Sequence, residues 1–309
     1  MRVLIHHHDA VTWRDALAAR LPGADIVTSD DDDATAADYL VAWQPPAALL
    51  QRQRQLKGIV NLGAGVDALL ANPALPRAVP IVKLRDAGMA TLMVDYVRYG
   101  VLHFQRNFDR YLHQEADADW RAWPAKDKAD WQVTILGLGA IGRHVAQALA
   151  ADGFCVHGWS RTPKTVTGVT CHHGDDALPD VLAHTDTLVT LLPDTPATRA
   201  IVNTTLLAQL ADGASLINPG RGPLIDEPAL LAALAGEIEG HQLRGAMLDV
   251  FPDEPLAADS ALWQAPRVRV TPHISAPTPV HAAADQVADL ITALDRGEPV
   301  ATVDVTAGY

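Results

Sequence analysis

The stretch "VTILGLGAIGRHVAQALA", residues 133–150, decides the fold. Its first four residues are apolar or β-branched and read as a short buried strand, while the run after Gly142 has the composition of a helix. Between them Gly137, Gly139 and Gly142 spell G-x-G-x-x-G. In a strand–loop–helix setting the first glycine permits a tight turn, the second lets backbone approach a pyrophosphate, and the third lets helix and strand pack closely. The N–H groups that open the helix then face the anion. A dinucleotide is the expected ligand, held by Gly137, Leu138, Gly139, Ala140, Ile141 and Gly142.

The next strand, in "CVHGWSRTPK" at residues 155–164, ends in Ser160, Arg161 and Thr162. Dinucleotide sites selective for NAD(H) often carry an acid there, which accepts from the ribose 2′-hydroxyl and would repel a 2′-phosphate. A hydroxyl and a guanidinium suit the phosphate instead, since Arg can fork two charge-assisted hydrogen bonds onto its oxygens. The stretch therefore predicts NADP(H) as the preferred cofactor, with NAD(H) possible. The alternative is that Arg161 stacks on the adenine or faces solvent.

Outward from this unit the chain keeps alternating. Downstream, "TLVTLLP", "ASLINPG", "GAMLDVF" and "VRVTPH" are short apolar runs bounded by Gly or Pro, as buried parallel strands tend to be. Leu192 and Pro193 end the first of these and are expected beside the cofactor. Upstream, "VLIH", "ADIVTS", "YLVAW" and "GIVNL" alternate with helical runs, which implies a second parallel sheet with helices on its faces. Residues 85–113 read as one long helix from their three- and four-residue apolar spacing. Near the other end, Thr278 is a candidate cap and Pro279 suits a first helical turn. The simplest organisation is two α/β domains, the second inserted into the first.

Composition excludes several classes. The 309 residues carry a formal net charge of −13, which argues against nucleic acid or an acidic membrane as partner. Two cysteines, Cys155 and Cys171, offer no disulfide framework and suit a reducing compartment. "MRVLIHHHD" runs straight into a strand and no apolar stretch is long enough to span a bilayer, so a cytoplasmic protein is expected. Adjacent histidines on an extended chain point to alternate sides, so His6, His7 and His8 cannot converge on one ion. They are expected in a loop at a strand end, and no metal site is expected. The acidic run "SDDDD" at residues 29–33 reads as a solvated turn.

Three strand ends carry groups that suit one reaction. "INPGRG" puts Arg221 in a Gly-flanked turn, "LDVFPDEP" supplies Asp249 and Glu254, and "VTPHIS" supplies His273. Open α/β sheets bind ligands at the carboxyl ends of their strands. Hydride delivered to a ketone carbon leaves negative charge on oxygen, which needs a proton and a nearby cation. An imidazole beside a carboxylate can give the proton, and a guanidinium can grip a planar carboxylate in two places.

Taken together, GLGAIG, "NPGRG", "LDVFPDEPL" and "TPHIS" resemble the D-isomer-specific 2-hydroxyacid dehydrogenases over nearly the whole chain. "NLGAGVD", "DAGM", "CVHGWSRT" and the terminal "VDVTAGY" resemble most closely the branch that reduces glyoxylate and hydroxypyruvate. The resemblance implies two doubly wound parallel-sheet domains. Residues 101–274 would form an NAD(P)-binding Rossmann domain, inserted into a flavodoxin-like substrate domain of residues 1–100 and 275–309. It also implies NADPH-dependent reduction of short 2-oxo acids to D-2-hydroxy acids.

Position by position, the resemblance makes Arg221 the binder of the substrate's carboxylate and carbonyl, His273 the proton donor and Glu254 its partner. Asp249 falls near the nicotinamide carboxamide. Backbone N–H groups around Ala64, Gly65 and Val66 hold the substrate carboxylate, where Gly63 and Gly65 let the chain expose amides to an anion. Trp43, ending a strand, reads either as a lining residue of the substrate cleft or as core. The Trp-rich segment, residues 120–131, implies a homodimer. Two features depart from the closest relatives: the stretch "GEIEGHQLRG", residues 236–245, is longer, and Arg85 stands before "DAGM". A bulkier 2-oxo acid as substrate, or a nucleotide-sensing protein on the same fold, are the competing readings.

Overall fold

The computed structural model describes residues 1–31, 34, 36–306 and 308. The chain divides into two compact units, Met1–Met89 with Thr278–Tyr309, and Ala90–Pro277. Residues 90–100 and 275–277 thus group with the second unit rather than the first.

The first unit holds five strands: β1 (Arg2–His6), β2 (Asp25–Thr28), β3 (Tyr39–Ala42), β4 (Gly58–Asn61) and β5 (Ile81–Lys83). They pair in parallel in the order β2-β1-β3-β4-β5, the flavodoxin-like arrangement. Every residue of β3 and β4 is buried, which is why these strands read as continuous apolar runs without alternation. Trp13 and Leu17 of the helix Ala10–Ala18 are buried in this unit's core. The helix Val280–Asp295 belongs to the same unit; a Cβ added to Gly58 would come within 2.8 Å of Leu294 Cδ1, and Arg20 pairs with Asp285.

The start of that last helix differs from the sequence expectation. Pro279 is the flanking residue, and Thr278 does not cap: its hydroxyl donates to the Leu62 carbonyl at 2.8 Å, tying the helix entry to the loop after β4. His6 is the last residue of β1, and His7 and His8 follow it in a turn where His7 Nδ1 accepts the Asp9 N–H at 3.0 Å. In the acidic run, Asp31 accepts from both the N–H and the hydroxyl of Thr28, while Asp32 and Asp33 lie outside the described residues. So do Ala307 and Tyr309 of the terminal motif.

The second unit holds seven parallel strands: β6 (Gln132–Leu136), β7 (Cys155–Ser160), β8 (Thr170–His173), β9 (Thr187–Thr190), β10 (Ser215–Asn218), β11 (Gly245–Leu248) and β12 (Val268–Val270). Their order is β12-β11-β10-β9-β6-β7-β8. This is the Rossmann order with one added strand, and it reverses between β6 and β9. One core cluster joins Val133, Ile135 and Val156 to Val145 and Leu149 of the helix Ala140–Ala151 and to Val97 and Val101 of the helix Met89–Gln105. The other joins Leu136, Leu188 and Leu216 to Leu230 and Leu234 of the helix Glu227–Ala235. Cys171 is in register with Gly158, so alternation puts it on the opposite sheet face from Cys155; both are free thiols.

Two further expectations change. The long helix is two, Met89–Gln105 and Phe108–Ala116, broken where Asn107 adopts φ 62°. Its amide donates to the Pro124 carbonyl and its side-chain oxygen accepts from Arg244, so distant partners hold the break. Residues 85–88 are not helical either: Asp86, Ala87 and Gly88 all have positive φ. The stretch 236–245 is a compact turn, with Gly236 left-handed at the helix end and a bridge between Ile238 and His241. Among the described residues, no helix is long and apolar enough to cross a membrane.

Candidate active site

The glycine loop follows β6 directly. Gly137 turns with φ 109°, and a Cβ there would meet the Leu191 carbonyl at 2.6 Å; one on Gly142 would overlap the Gly137 carbonyl oxygen. Both positions therefore exclude any side chain. At Gly139 a Cβ would meet nothing within 4 Å, so open space lies above this part of the loop. The helix Ala140–Ala151 starts there without a side-chain cap. Bare backbone under open space and uncapped N–H groups suit the pyrophosphate of a dinucleotide.

At the end of β7, Ser160 is buried and its hydroxyl donates to the Thr162 carbonyl at 2.8 Å. This bond braces the turn, and residues 161–165 after it are exposed, Arg161, Thr162 and Lys164 among them. Leu192 and Pro193 follow β9, and the Pro193 carbonyl accepts from Thr198 at 2.6 Å.

Arg221, Glu254 and His273 stand beyond the carboxyl ends of the adjacent strands β10, β11 and β12. The turn bearing Arg221 is set by Asn218, whose Oδ1 accepts from Thr190 at 2.7 Å and whose amide donates to the Arg221 carbonyl at 2.9 Å. The Arg221 guanidinium donates to the Gly220 carbonyl at 2.7 Å. A Cβ on Gly222 would overlap the backbone of Phe251 and Pro252, so this turn lies against the loop that carries Glu254. Glu254 in turn accepts the Phe251 N–H on Oε1 at 3.0 Å and faces His273 Nδ1 with Oε2 at 2.7 Å. An ionised carboxylate only accepts, which assigns the Nδ1 proton to the imidazole and leaves Nε2 as the outward nitrogen. Both side chains remain about one-third exposed, at 37% and 33%.

Asp249, expected near the nicotinamide carboxamide, follows β11 directly. It is wholly buried, and its carboxylate accepts the N–H groups of Ile274 at 2.9 Å and Ser275 at 2.8 Å. The charge is satisfied inside the protein, next to the loop that presents His273.

In the first unit, Asn61 ends β4 and donates to the carbonyls of Gly63 at 3.0 Å and Gly65 at 2.8 Å. A trans peptide points its C=O and N–H in opposite directions, so the N–H groups of Ala64 and Val66 turn away from Asn61. Trp43 is half-buried and its ring lies directly on Gly63, so it belongs to the environment of this loop. Sequence reasoning missed both asparagines. Each is the last residue of a strand before a Gly-containing turn, and that position was the available signal.

Comparison with known proteins agrees with this construction. The family model for the D-isomer specific 2-hydroxyacid dehydrogenase NAD binding domain matches residues 99–275. The glyoxylate/hydroxypyruvate reductase A of Citrobacter koseri is 42% identical, with all of both chains covered. A D-isomer specific 2-hydroxyacid dehydrogenase from Xanthobacter autotrophicus, solved with NADPH and MES, superposes with a TM-score of 0.92 at 38% identity over 99% of each chain. The NADPH-dependent glyoxylate/hydroxypyruvate reductase of Sinorhizobium meliloti, solved with NADP and sulfate, also gives 0.92, at 35% identity over 100% of this chain and 99% of that one. A dinucleotide loop, an arginine turn and a carboxylate-backed histidine at consecutive strand ends, matched over the full length by such relatives, have one common origin: the chain belongs to the D-isomer-specific 2-hydroxyacid dehydrogenase family.

Proposed function

We propose that the chain reduces short 2-oxo acids, glyoxylate and hydroxypyruvate foremost, to 2-hydroxy acids with NADPH. The single observation that carries this reading is His273 Nδ1 at 2.7 Å from Glu254 Oε2, with Nε2 left as the outward nitrogen. The full-length relatives named for this activity, and the neighbours solved with NADPH and NADP, support the substrate and the cofactor.

In the second unit the residues 137–142 bind the cofactor's pyrophosphate, and Arg161 with Thr162 takes the 2′-phosphate. The cofactor, when bound, supplies the hydride. Arg221 orients the 2-oxo acid through its carboxylate and carbonyl, and its charge stabilises the oxygen as negative charge develops there. His273 gives the proton from Nε2 to that oxygen, while Glu254 holds the ring by Nδ1 and balances the imidazolium. Asn218 and Gly222 fix the turn from which Arg221 works. In the first unit, the N–H groups of Ala64 and Val66 form a site suited to a substrate carboxylate, with Trp43 beside it. The first unit is thus the substrate-binding domain and the second the cofactor-binding domain.

The reading extends to assembly and location. Trp120 is fully exposed, and Tyr99, Phe108 and Leu112 are large apolar side chains more than two-fifths exposed, which supports a homodimer through this surface. Two free thiols and the bacterial relatives support a cytoplasmic enzyme. The deciding experiment follows absorbance of reduced nicotinamide across a panel of 2-oxo acids with both cofactors. Turnover of glyoxylate and hydroxypyruvate with NADPH is expected, and the absence of turnover with every acid would overturn the reading.

A further inference from the structure

The loop that carries His273 is held by a part-buried chain of hydrogen bonds whose polarity can be worked out. His273 itself has φ 54°, in the left-handed region that costs a non-glycine residue about 1–2 kcal/mol. Its N–H is shared between the carbonyls of Asp249 at 2.8 Å and Thr271 at 3.1 Å. On either side of it, the Asp249 carboxylate takes three donors: the Thr271 hydroxyl at 2.6 Å and the Ile274 N–H on Oδ1, and the Ser275 N–H on Oδ2. A hydroxyl has one proton, and that of Thr271 is committed to the carboxylate. The 2.8 Å contact between Thr271 and the Tyr96 hydroxyl must then run from the phenol to a lone pair of Thr271. Burial pushes the Tyr96 phenol up; the hydrogen bond with Thr271 opposes this and the charge of Asp249 adds to it, with a net upward shift that keeps the phenol protonated. Tyr96 sits on the helix Met89–Gln105, remote in sequence from the loop it supports.

We propose that Tyr96, Thr271 and Asp249 are positioning residues for the proton donor. Their one-way chain, phenol to hydroxyl to carboxylate, holds residues 271–275 in the strained conformation that sets the His273 imidazole on Glu254. The proposal rests on the reading of His273 as proton donor. It differs from a general packing role because it needs the hydroxyl of Thr271, not the volume of its side chain. Valine has nearly the shape of threonine and removes only the hydrogen bonds, leaving the part-buried phenol without its acceptor and Asp249 Oδ1 with the Ile274 N–H alone. Serine keeps the hydroxyl and loses a methyl group.

The test measures kcat and both KM values with hydroxypyruvate and NADPH for Thr271→Val, Thr271→Ser, Tyr96→Phe, His273→Ala and the Thr271→Val/His273→Ala pair. Thr271→Val is expected to lower kcat by about 10- to 100-fold with the KM for NADPH within about twofold, as loss of interactions that act in the transition state would do. Thr271→Ser should recover kcat to within about threefold of the parent, and Tyr96→Phe should lower it by about three- to tenfold. In the pair, Thr271→Val should add nothing to the loss caused by His273→Ala, because both act through one group. Full activity of Thr271→Val, an equal loss for the serine and valine variants, or additive losses in the pair would each overturn the proposal. Should Thr271→Val fail to fold, Tyr96→Phe and Thr271→Ser decide alone, an unchanged kcat for Tyr96→Phe or a serine loss above tenfold counting against it. Unimpaired His273→Ala would instead overturn the proton-donor reading, a result distinguishable from all of these.

Discussion

Trp43 lies on Gly63 so closely that a Cβ at Gly63 would come within 2.3 Å of the indole's Cζ3. The glycine is therefore part of how the loop after β4 keeps its shape, where Asn61 also donates to the Gly63 carbonyl. Gly63→Ala must push the indole aside at a strain of about 1–3 kcal/mol. The expected result is a rise of about tenfold in the KM for the 2-oxo acid, equivalent to about 1.4 kcal/mol, with the KM for NADPH unchanged. Steady-state kinetics on both substrates checks it.

Removing the proton donor should be costly. His273→Ala is expected to lower kcat by about 10²- to 10⁴-fold, the usual range for a general acid. Glu254→Gln keeps the shape but replaces an acceptor by an amide that can present its donor side to Nδ1. A smaller loss, of about ten- to a hundredfold, is expected there, and an unchanged kcat for either variant would remove that residue from the chemistry.

Cofactor choice should reside in Arg161. Charge-assisted hydrogen bonds contribute about 1.5–3 kcal/mol each, so Arg161→Ala should raise the KM for NADPH by at least about tenfold while moving that for NADH little. The ratio of the two KM values is the measurement, and parallel changes would mean that the guanidinium does not read the 2′-phosphate.

Acid should destabilise the protein well above the carboxylate range. Burial lowers the pKa of His6, His7, His103, His157 and His241 below the ordinary 6.5, and that of His7 to about 4, where the neighbouring His8 adds to the effect of burial. Each folded value lies below the unfolded one, so the folded chain binds fewer protons. The stabilisation is fully present above about pH 6.5 and is lost as pH falls toward the folded values. Thermal midpoints should fall between pH 7 and pH 4.5. His7→Gln should fall less steeply over that interval, and a slope equal to the parent's would remove His7 from the account.

The proposed homodimer has its own check. Leu112→Glu together with Phe108→Glu places two charges on exposed apolar positions of one helix. Sedimentation should show a dimer for the parent and a monomer for the variant, and a dimer in both would place the interface elsewhere.

What could be read from sequence was whatever local chemistry dictates. The glycine loop, the all-apolar strands and the groups at strand ends each carry their signal within a few residues, and the parallel pairing of both sheets follows from the alternation they set up, whereas their strand orders were implied by the family resemblance. What escaped depends on partners far along the chain. Nothing near Asn107 announces a helix break, because the left-handed turn is held by Pro124 and by Arg244, more than a hundred residues away. Thr278 looks like a cap in isolation, but its hydroxyl is taken by Leu62. The bonds that Asp249 accepts from the 271–275 loop were equally hidden, because their donors lie 22 and 26 residues further on.

The first unit draws its strands from residues 1–89 and its closing helix from 280–295, with the whole second unit between them. During synthesis on the ribosome, β1 to β5 must wait for some two hundred further residues before Leu294 reaches Gly58 and Asp285 reaches Arg20. The seven-stranded sheet, complete by Val270, has everything it needs earlier. The nascent chain should therefore acquire protease resistance in residues 90–277 first, with the strands of residues 1–89 left open until the helix Val280–Asp295 has emerged.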